Sequence, residues 1–208
     1  MLRGHPGDVV LRRLPRLLFG LFVMSVGISA MVVAGLGLAP WDVLHQGIAA
    51  HTGIAFGTVG ILVGGVVMLG WIPLHERFGI GTVLNAVVVG LMIDAELAVW
   101  TAPEQEWVRW AFMLVGPVLI ALGAGMYIGT DLGPGPRDGL MTGIVALGFK
   151  TWLVRGAIEV SVLAAGWALG GTVGIGTLWE AVSIGPLVHV FLHRFALEPV
   201  EPAVLNPE

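Results

Sequence analysis

The sequence predicts an all-α polytopic membrane protein made of two inverted repeats, each with three transmembrane helices and one re-entrant half-helix. Three observations predict it. The composition is that of a bilayer protein, the chain matches itself at an offset of 96 residues (133 − 37), and each repeat holds one apolar segment too short to span.

Hydrophobic residues are 56% and charged residues 12% of the 208, and mean hydropathy is +0.91. Ordinary soluble domains carry about 45–50% apolar and about 25% charged residues. No charged side chain occurs in 17–41, 43–74, 110–130 or 160–179, and about 20 such residues cross the hydrocarbon. The net charge of −4 has no pattern and indicates no nucleic-acid or acidic partner. The lack of Cys excludes disulfides and thiolate metal sites.

The repeat is clearest where "GLGLAPWDVLHQG" (35–47) meets "DLGPGPRDGLMTG" (131–143). Gly37 pairs with Gly133, Pro40 with Pro136, Asp42 with Asp138, Leu44 with Leu140 and Gly47 with Gly143. Upstream, Gly20 meets Gly116 and Gly27 meets Gly123. Downstream, Trp71 meets Trp167, and after a one-residue slip "GIGT" at 79–82 meets "GIGT" at 174–177.

Taken in order, residues 1–13 form a cytoplasmic segment. Arg12, Arg13 and Arg16 precede an apolar run longer than the ~7–15 residues of a signal-peptide core, so the first helix is expected to be retained. The first repeat, 14–100, contains apolar segments 14–34, 40–51, 55–74 and 80–99. An external loop, 101–109, follows, with Trp100, Trp107 and Trp110 suited to an interfacial belt. The second repeat, 110–195, contains 110–130, 136–149, 151–170 and 174–193. The Pro- and Glu-rich tail, 196–208, is expected to be flexible and cytoplasmic.

Segments 40–51 and 136–149 rise only about 18–21 Å as helices, against a hydrocarbon core of about 30 Å. They read as half-helices. Three full spans per repeat is an odd number, so the two copies enter the membrane from opposite sides. With both termini cytoplasmic, Arg3, Arg12, Arg13, Arg16, Arg77, Arg137, Lys150 and Arg194 lie on the cytoplasmic side or on the re-entrant loop entered from it, leaving Arg109 outside. Eight spans would put Arg77 and Arg137 outside, and segment length favours six.

The "GLGLA" stretch, extended at about 3.3 Å per residue, dips about 16 Å, and the half-helix from Pro40 climbs about 18 Å back. Glycine permits such a dip, and proline suits a first helical turn. Two half-helix N-termini would then converge near the midplane, each with roughly half a positive charge. Irregular backbone at that depth persists only when buried in protein or lining a cavity.

This geometry nominates the substrate-binding candidates Asp42, Arg137, Asp138, His45, Trp41, Gly37 and Gly133. Asp42 and Asp138 each stand in a first turn, where a carboxylate complements the dipole with or without a ligand; both roles are open. Arg137 is matched by Trp41, so the repeat does not require a cation there. At mid-bilayer it needs Asp42 of the opposed half-helix or a solute anion, which guanidinium binds through two parallel hydrogen bonds. His45 lies one turn from Asp42.

Asp94 and His189 take equivalent places in the third span of each repeat and, with Glu159, are candidates for a proton relay. Arg155 and Glu159 are four apart on one helix face and are expected to pair. Glu180 follows Thr177 by three, a capping-box spacing, and reads mainly as a cap, with Asn85 in the matching place after Thr82.

"GLGLAPWDVLHQG", "HTGIAFGT", "GIGTVLNAVVVGLMID" and "GPGPRDGLM" together resemble the bacterial YczE/YyaS/YitT-type integral membrane proteins, over residues 14–195 or so. The resemblance implies a multi-pass protein of the bacterial cytoplasmic (inner) membrane, of a kind often presumed to transport, and brings no catalytic residue with it. The expected function is a secondary transporter or permease for a small polar or anionic solute. The alternative is a non-transporting accessory or scaffold protein, with glycine serving close helix packing. The expected partners are the lipid bilayer, a small-molecule solute and, as an open option, further copies of the chain.

Enzymatic motifs are missing. Neither "GLGLAPWD" nor "GPGPRD" has the G-x-G-D spacing of intramembrane aspartyl proteases, H-E-x-x-H does not occur, and "GTDLGPG" lacks the Lys-Ser/Thr of a phosphate loop. No enzyme activity, cofactor or metal is expected.

Overall fold

The computed structural model describes residues 6–76 and 78–197. Arg3, Arg77 and all but the first two residues of the proposed tail lie outside the described residues. Those described form nine helices and no strand: α1 (Pro6–Ala34), α2 (Pro40–Thr52), α3 (Phe56–Leu69), α4 (Trp71–Leu74), α5 (Ile80–Val99), α6 (Glu106–Ile128), α7 (Pro136–Ala146), α8 (Thr151–Ala168) and α9 (Ile175–Phe195). Five stretches are long and apolar enough to cross a membrane: α1, α3 continued through α4, α5, α6 and α9. The 18-residue α8, carrying Arg155 and Glu159, is not among them.

Burial separates centre from periphery. The apolar stretch of α1 is 61% buried and that of α6 44%, against 22% for α3–α4, α5 and α9. The outward residues of the peripheral helices are themselves large and apolar, among them Leu62, Val66, Leu91, Leu178 and Val182. Apolar side chains facing outward are what hydrocarbon surroundings require.

The central pair is antiparallel. A Cβ at Gly20 would meet the Gly123 carbonyl oxygen at 2.8 Å, and one at Gly27 the Gly116 oxygen at 2.7 Å. The ends are fastened reciprocally: Arg109 Nε donates to the Ala34 carbonyl at 2.8 Å, and Arg13 Nη1 donates to the Thr130 carbonyl at 2.8 Å. Arg13 and Arg109, like Ala34 and Thr130, are 96 apart, so each repeat holds the carbonyl end of the other's first span.

The Arg13 contact explains one correction. The first helix begins at Pro6 rather than near residue 14, with Asp8 in its first turn, because α1 continues along α6 as far as this bond. A second correction shortens α7, which stops at Ala146 because Gly148, at φ +99°, turns the chain.

Short helices α2 and α7 follow loops of matching backbone. Gly35 and Asp131 have φ +63° and +54°, and Gly37 and Gly133 have φ +118° and +126°. Each loop docks on the other repeat. Gly176 N–H donates to the Leu36 carbonyl at 2.8 Å, and Gly81 N–H to the Leu132 carbonyl at 2.9 Å. The receiving helices α9 and α5 start alike, with Thr177 Oγ1 accepting from Gly174 N–H at 3.2 Å and Thr82 Oγ1 from Gly79 N–H at 3.3 Å.

The repeats differ where α3 meets α5 and, in the second, where α8 faces α9. In the first, α3 packs along α5, with Gly57 and Gly90 bringing the two backbones together. Asp94 closes that seam: its carboxylate accepts from Gly57 N–H at 2.6 Å, Thr58 N–H at 2.8 Å and Thr58 Oγ1 at 2.7 Å. In the second repeat, Gly185, the counterpart of Gly90, has nothing within 4 Å of a Cβ position, and neither has Gly156 of α8. Trp71 is fully buried whereas its counterpart Trp167 is 68% exposed.

Candidate functional site

The unclosed seam borders a cavity of about 460 Å3 that reaches both short helices. Pro40 and Pro136 set φ for the first turns of α2 and α7. One turn in, the sequence places the charges. Arg137, from the start of α7, extends to Asp42, from the start of α2, with Nη2 3.3 Å from Oδ1. Of the two partners expected for this arginine, the structure supplies the carboxylate of the other repeat.

Two side chains hold Arg137 and Asp42, and a third backs one of them. The guanidinium carbon lies 5.2 Å from the centre of the Trp41 ring, close enough for a cation–π contact. His45 Nδ1 is 3.5 Å from Asp42 Oδ1 and its ring packs edge-on against Phe56 at 5.9 Å. Asp42 is sealed, with 7% of its side chain exposed, whereas 37% of the Arg137 side chain remains open to the cavity. His45 Nε2 is buried with no hydrogen-bond partner. An Nδ1 that faces a carboxylate is the protonated nitrogen, so Nε2 carries a free lone pair.

Asp138 lines the same cavity and is 3.4 Å from the Tyr127 hydroxyl, which donates to it. Arg155 and Glu159 pair with Nε 2.9 Å from Oε1, and both line the cavity from α8. Gly37 and Gly133 stand behind the site: a Cβ on either would come within 2.8 Å of Thr177 or Thr82 Oγ1 respectively. They fix where the short helices begin.

The relay candidates are not brought together. Asp94 is occupied at the start of α3, outside the cavity lining. His189 is on the exposed side of α9, its ring 4.3 Å from that of His193. Only Glu159 of the three faces the cavity.

Glu180 corrects the capping assignment. The start of α9 is capped by Thr177, and α9 begins at Ile175, so Glu180 lies beyond the turn whose N–H groups need a partner. Its carboxylate faces the cavity instead, 7% exposed, and no hydrogen bond or ion pair reaches it from the described residues. Asn85, its counterpart on α5, also lines the cavity. The signal for both was the repeat: a polar residue in the same place in two helices that start alike.

The sequence compares with known proteins over nearly its whole length. An uncharacterized protein of Haemophilus influenzae is 41% identical over 184 residues, covering 88% of this chain and 84% of that protein. The uncharacterized membrane protein YczE of Bacillus subtilis is 33% identical over 182 residues, covering 86% and 82%. The uncharacterized protein YyaS of the same organism is 28% identical over 182 residues, covering 83% and 89%. No solved structure matches. The two Bacillus relatives agree with the resemblance carried by the Gly-Pro-Asp motifs, and a family described as a family of unknown function, DUF6198, matches residues 11–193. The chain belongs to that family.

Proposed function

We propose that the chain is a secondary transporter or permease for a small polar solute, with its binding site between the N-termini of α2 and α7. One observation carries the reading: Arg137 of one repeat meets Asp42 of the other inside a cavity of about 460 Å3. A purely structural bundle gains little from buried charges, because desolvation offsets most of their attraction. Intramembrane ionisable groups on a cavity mark substrate or ion pathways.

The antiparallel α1–α6 pair and the reciprocal docking of the two loops support inverted repeats. In this reading α8 completes the six as the fifth span in chain order, about 27 Å long at 18 residues. Its two charges are tolerated because they pair with each other and face the cavity. Helices α2 and α7 are re-entrant, both termini are cytoplasmic, and the membrane is the bacterial cytoplasmic membrane. The closed α3–α5 seam and the unclosed α8–α9 seam are then the two sides of an alternating-access cycle, with access in this structure from the cytoplasmic side.

Solute uptake into proteoliposomes tests the proposal. Asp42→Asn and Asp138→Asn are each expected to leave an assembled protein that no longer transports, or transports uncoupled. Wild-type rates in both variants would reduce the two carboxylates to helix-end stabilisers and remove the central site. No flux for any solute, with a membrane protein co-purifying in stoichiometric amount, would favour the scaffold instead.

A further inference from the structure

The cavity lining carries four carboxylates, Asp42, Asp138, Glu159 and Glu180, against two guanidiniums, Arg137 and Arg155. Each guanidinium is paired with one of them, Asp42 or Glu159. The remaining two acids have no basic side chain within ion-pair distance among the described residues. Asp138 has the Tyr127 hydroxyl at a long 3.4 Å, and Glu180, 7% exposed, has no donor among the described residues. A carboxylate withdrawn from water without a partner is costly, and native interiors avoid it unless something else arrives.

A second group makes the same demand. His45 also lines the cavity; its Nε2 is buried without a partner, and with Nδ1 turned to Asp42 it is an acceptor. With four carboxylates against two guanidiniums the lining carries an excess of negative charge, and Glu180 and His45 Nε2 add acceptors without a hydrogen-bond partner among the described residues. The rest of the lining is mostly aliphatic and aromatic, including Phe56, Val63, Val89, Ile120 and Ile184.

We infer that the cavity binds an organic ammonium ion with an apolar body, its N–H groups directed at Glu180 and the neighbouring acceptors Asp138 and His45. This rests on the transport reading and names its substrate class. A primary ammonium supplies up to three donors and one positive charge, which suits a lining with two more carboxylates than guanidiniums and an unpartnered Glu180. An anion would reach the open part of Arg137 but would add negative charge to a lining that already holds two more carboxylates than guanidiniums.

The test is binding by the full purified chain in detergent at pH 7, using three probes with one ring and different charge: benzylamine, benzyl alcohol and benzoate. Benzylamine is expected to bind at least tenfold tighter than either of the others. Glu180→Gln is expected to weaken it at least tenfold while leaving the protein monodisperse. Should that variant fail to fold, Asp138→Asn, on another helix, takes its place with an expected loss of at least threefold.

Three results would each overturn the inference: no benzylamine binding at millimolar concentration, benzoate binding as tightly as benzylamine, or affinity within twofold of wild type in the folded Glu180→Gln variant. The last result would assign Glu180 to holding a proton. Failure of the transport reading is distinguishable, since it shows as tight, Glu180-dependent benzylamine binding with no amine flux in proteoliposomes.

Discussion

Asp42 holds two neighbours at once, accepting from Arg137 at 3.3 Å while facing His45 at 3.5 Å, and it is far more deeply buried than Arg137. Removing either charge leaves the other without compensation, so the two losses should not add. Arg137→Gln is expected to destabilise the protein by about 1–3 kcal/mol, a value reduced from that of a sealed ion pair because the guanidinium is partly open. Adding Asp42→Asn should return about half of that loss, read as thermal unfolding of the four proteins of the cycle. Strict additivity would mean that the two side chains do not interact. The partner of Arg137 was legible in the sequence because 96-residue symmetry puts one acid at the start of each short helix, and hydrocarbon leaves an arginine few options. Glu180 was not legible in the same way. Its spacing from Thr177 imitates a capping pair, and only the position of the helix start, one turn earlier, shows that the cap is complete without it.

At the scale of elements, the short helices depend on two backbone positions that glycine alone occupies without strain. Gly37 and Gly133 combine φ of +118° and +126° with contacts of 2.8 Å to a Cβ that is not there. Alanine at either should cost more than the ~1–3 kcal/mol of a strained backbone, because the loop must also lift from α9 or α5. Gly53, at φ +72° with open space around it, is the control: Gly53→Ala should cost only about 1–2 kcal/mol. Equal losses at Gly53 and Gly133 in a thermal-unfolding comparison would mean that loop docking contributes nothing. Topology can be checked on the same elements. The chain has no Cys, so single cysteines at Ala102 and Gly148 can be labelled without background, and six spans require the first outside and the second inside. Labelling of Ala102→Cys from the cytoplasm would make the repeats parallel. Length and periodicity made the long helices and the two short ones readable. The start of α3 was readable to within a residue, but its capping was not, because its N–H groups are satisfied by Asp94, 36 and 37 residues later, and no short window on the sequence contains both.

Across the whole molecule, the two seams give opposite expectations for one substitution. Gly90→Leu would drive a side chain into Gly57 and Ile61 and is expected to lower the yield of folded protein sharply. At Gly185 a Cβ has nothing within 4 Å, so Gly185→Leu should leave thermal stability within about 0.5 kcal/mol of wild type. On the proposed cycle the same leucine blocks closure of α9 on α8, so solute should still bind while net transport stops. Normal transport by Gly185→Leu would mean that this seam never closes. The reciprocal docking of the loops also has a consequence for biosynthesis. The Leu36 carbonyl waits for the N–H of Gly176, 140 residues later (176 − 36), and the start of α5 waits for the loop that precedes α7. At roughly 5–20 residues per second, translation separates Leu36 from its partner by about 7–28 s. Through that interval the Leu36 carbonyl lacks its partner, and on the proposed re-entrant arrangement that is irregular backbone at a depth bare lipid does not accept. The first loop is then completed only when α9, the last helix made, emerges.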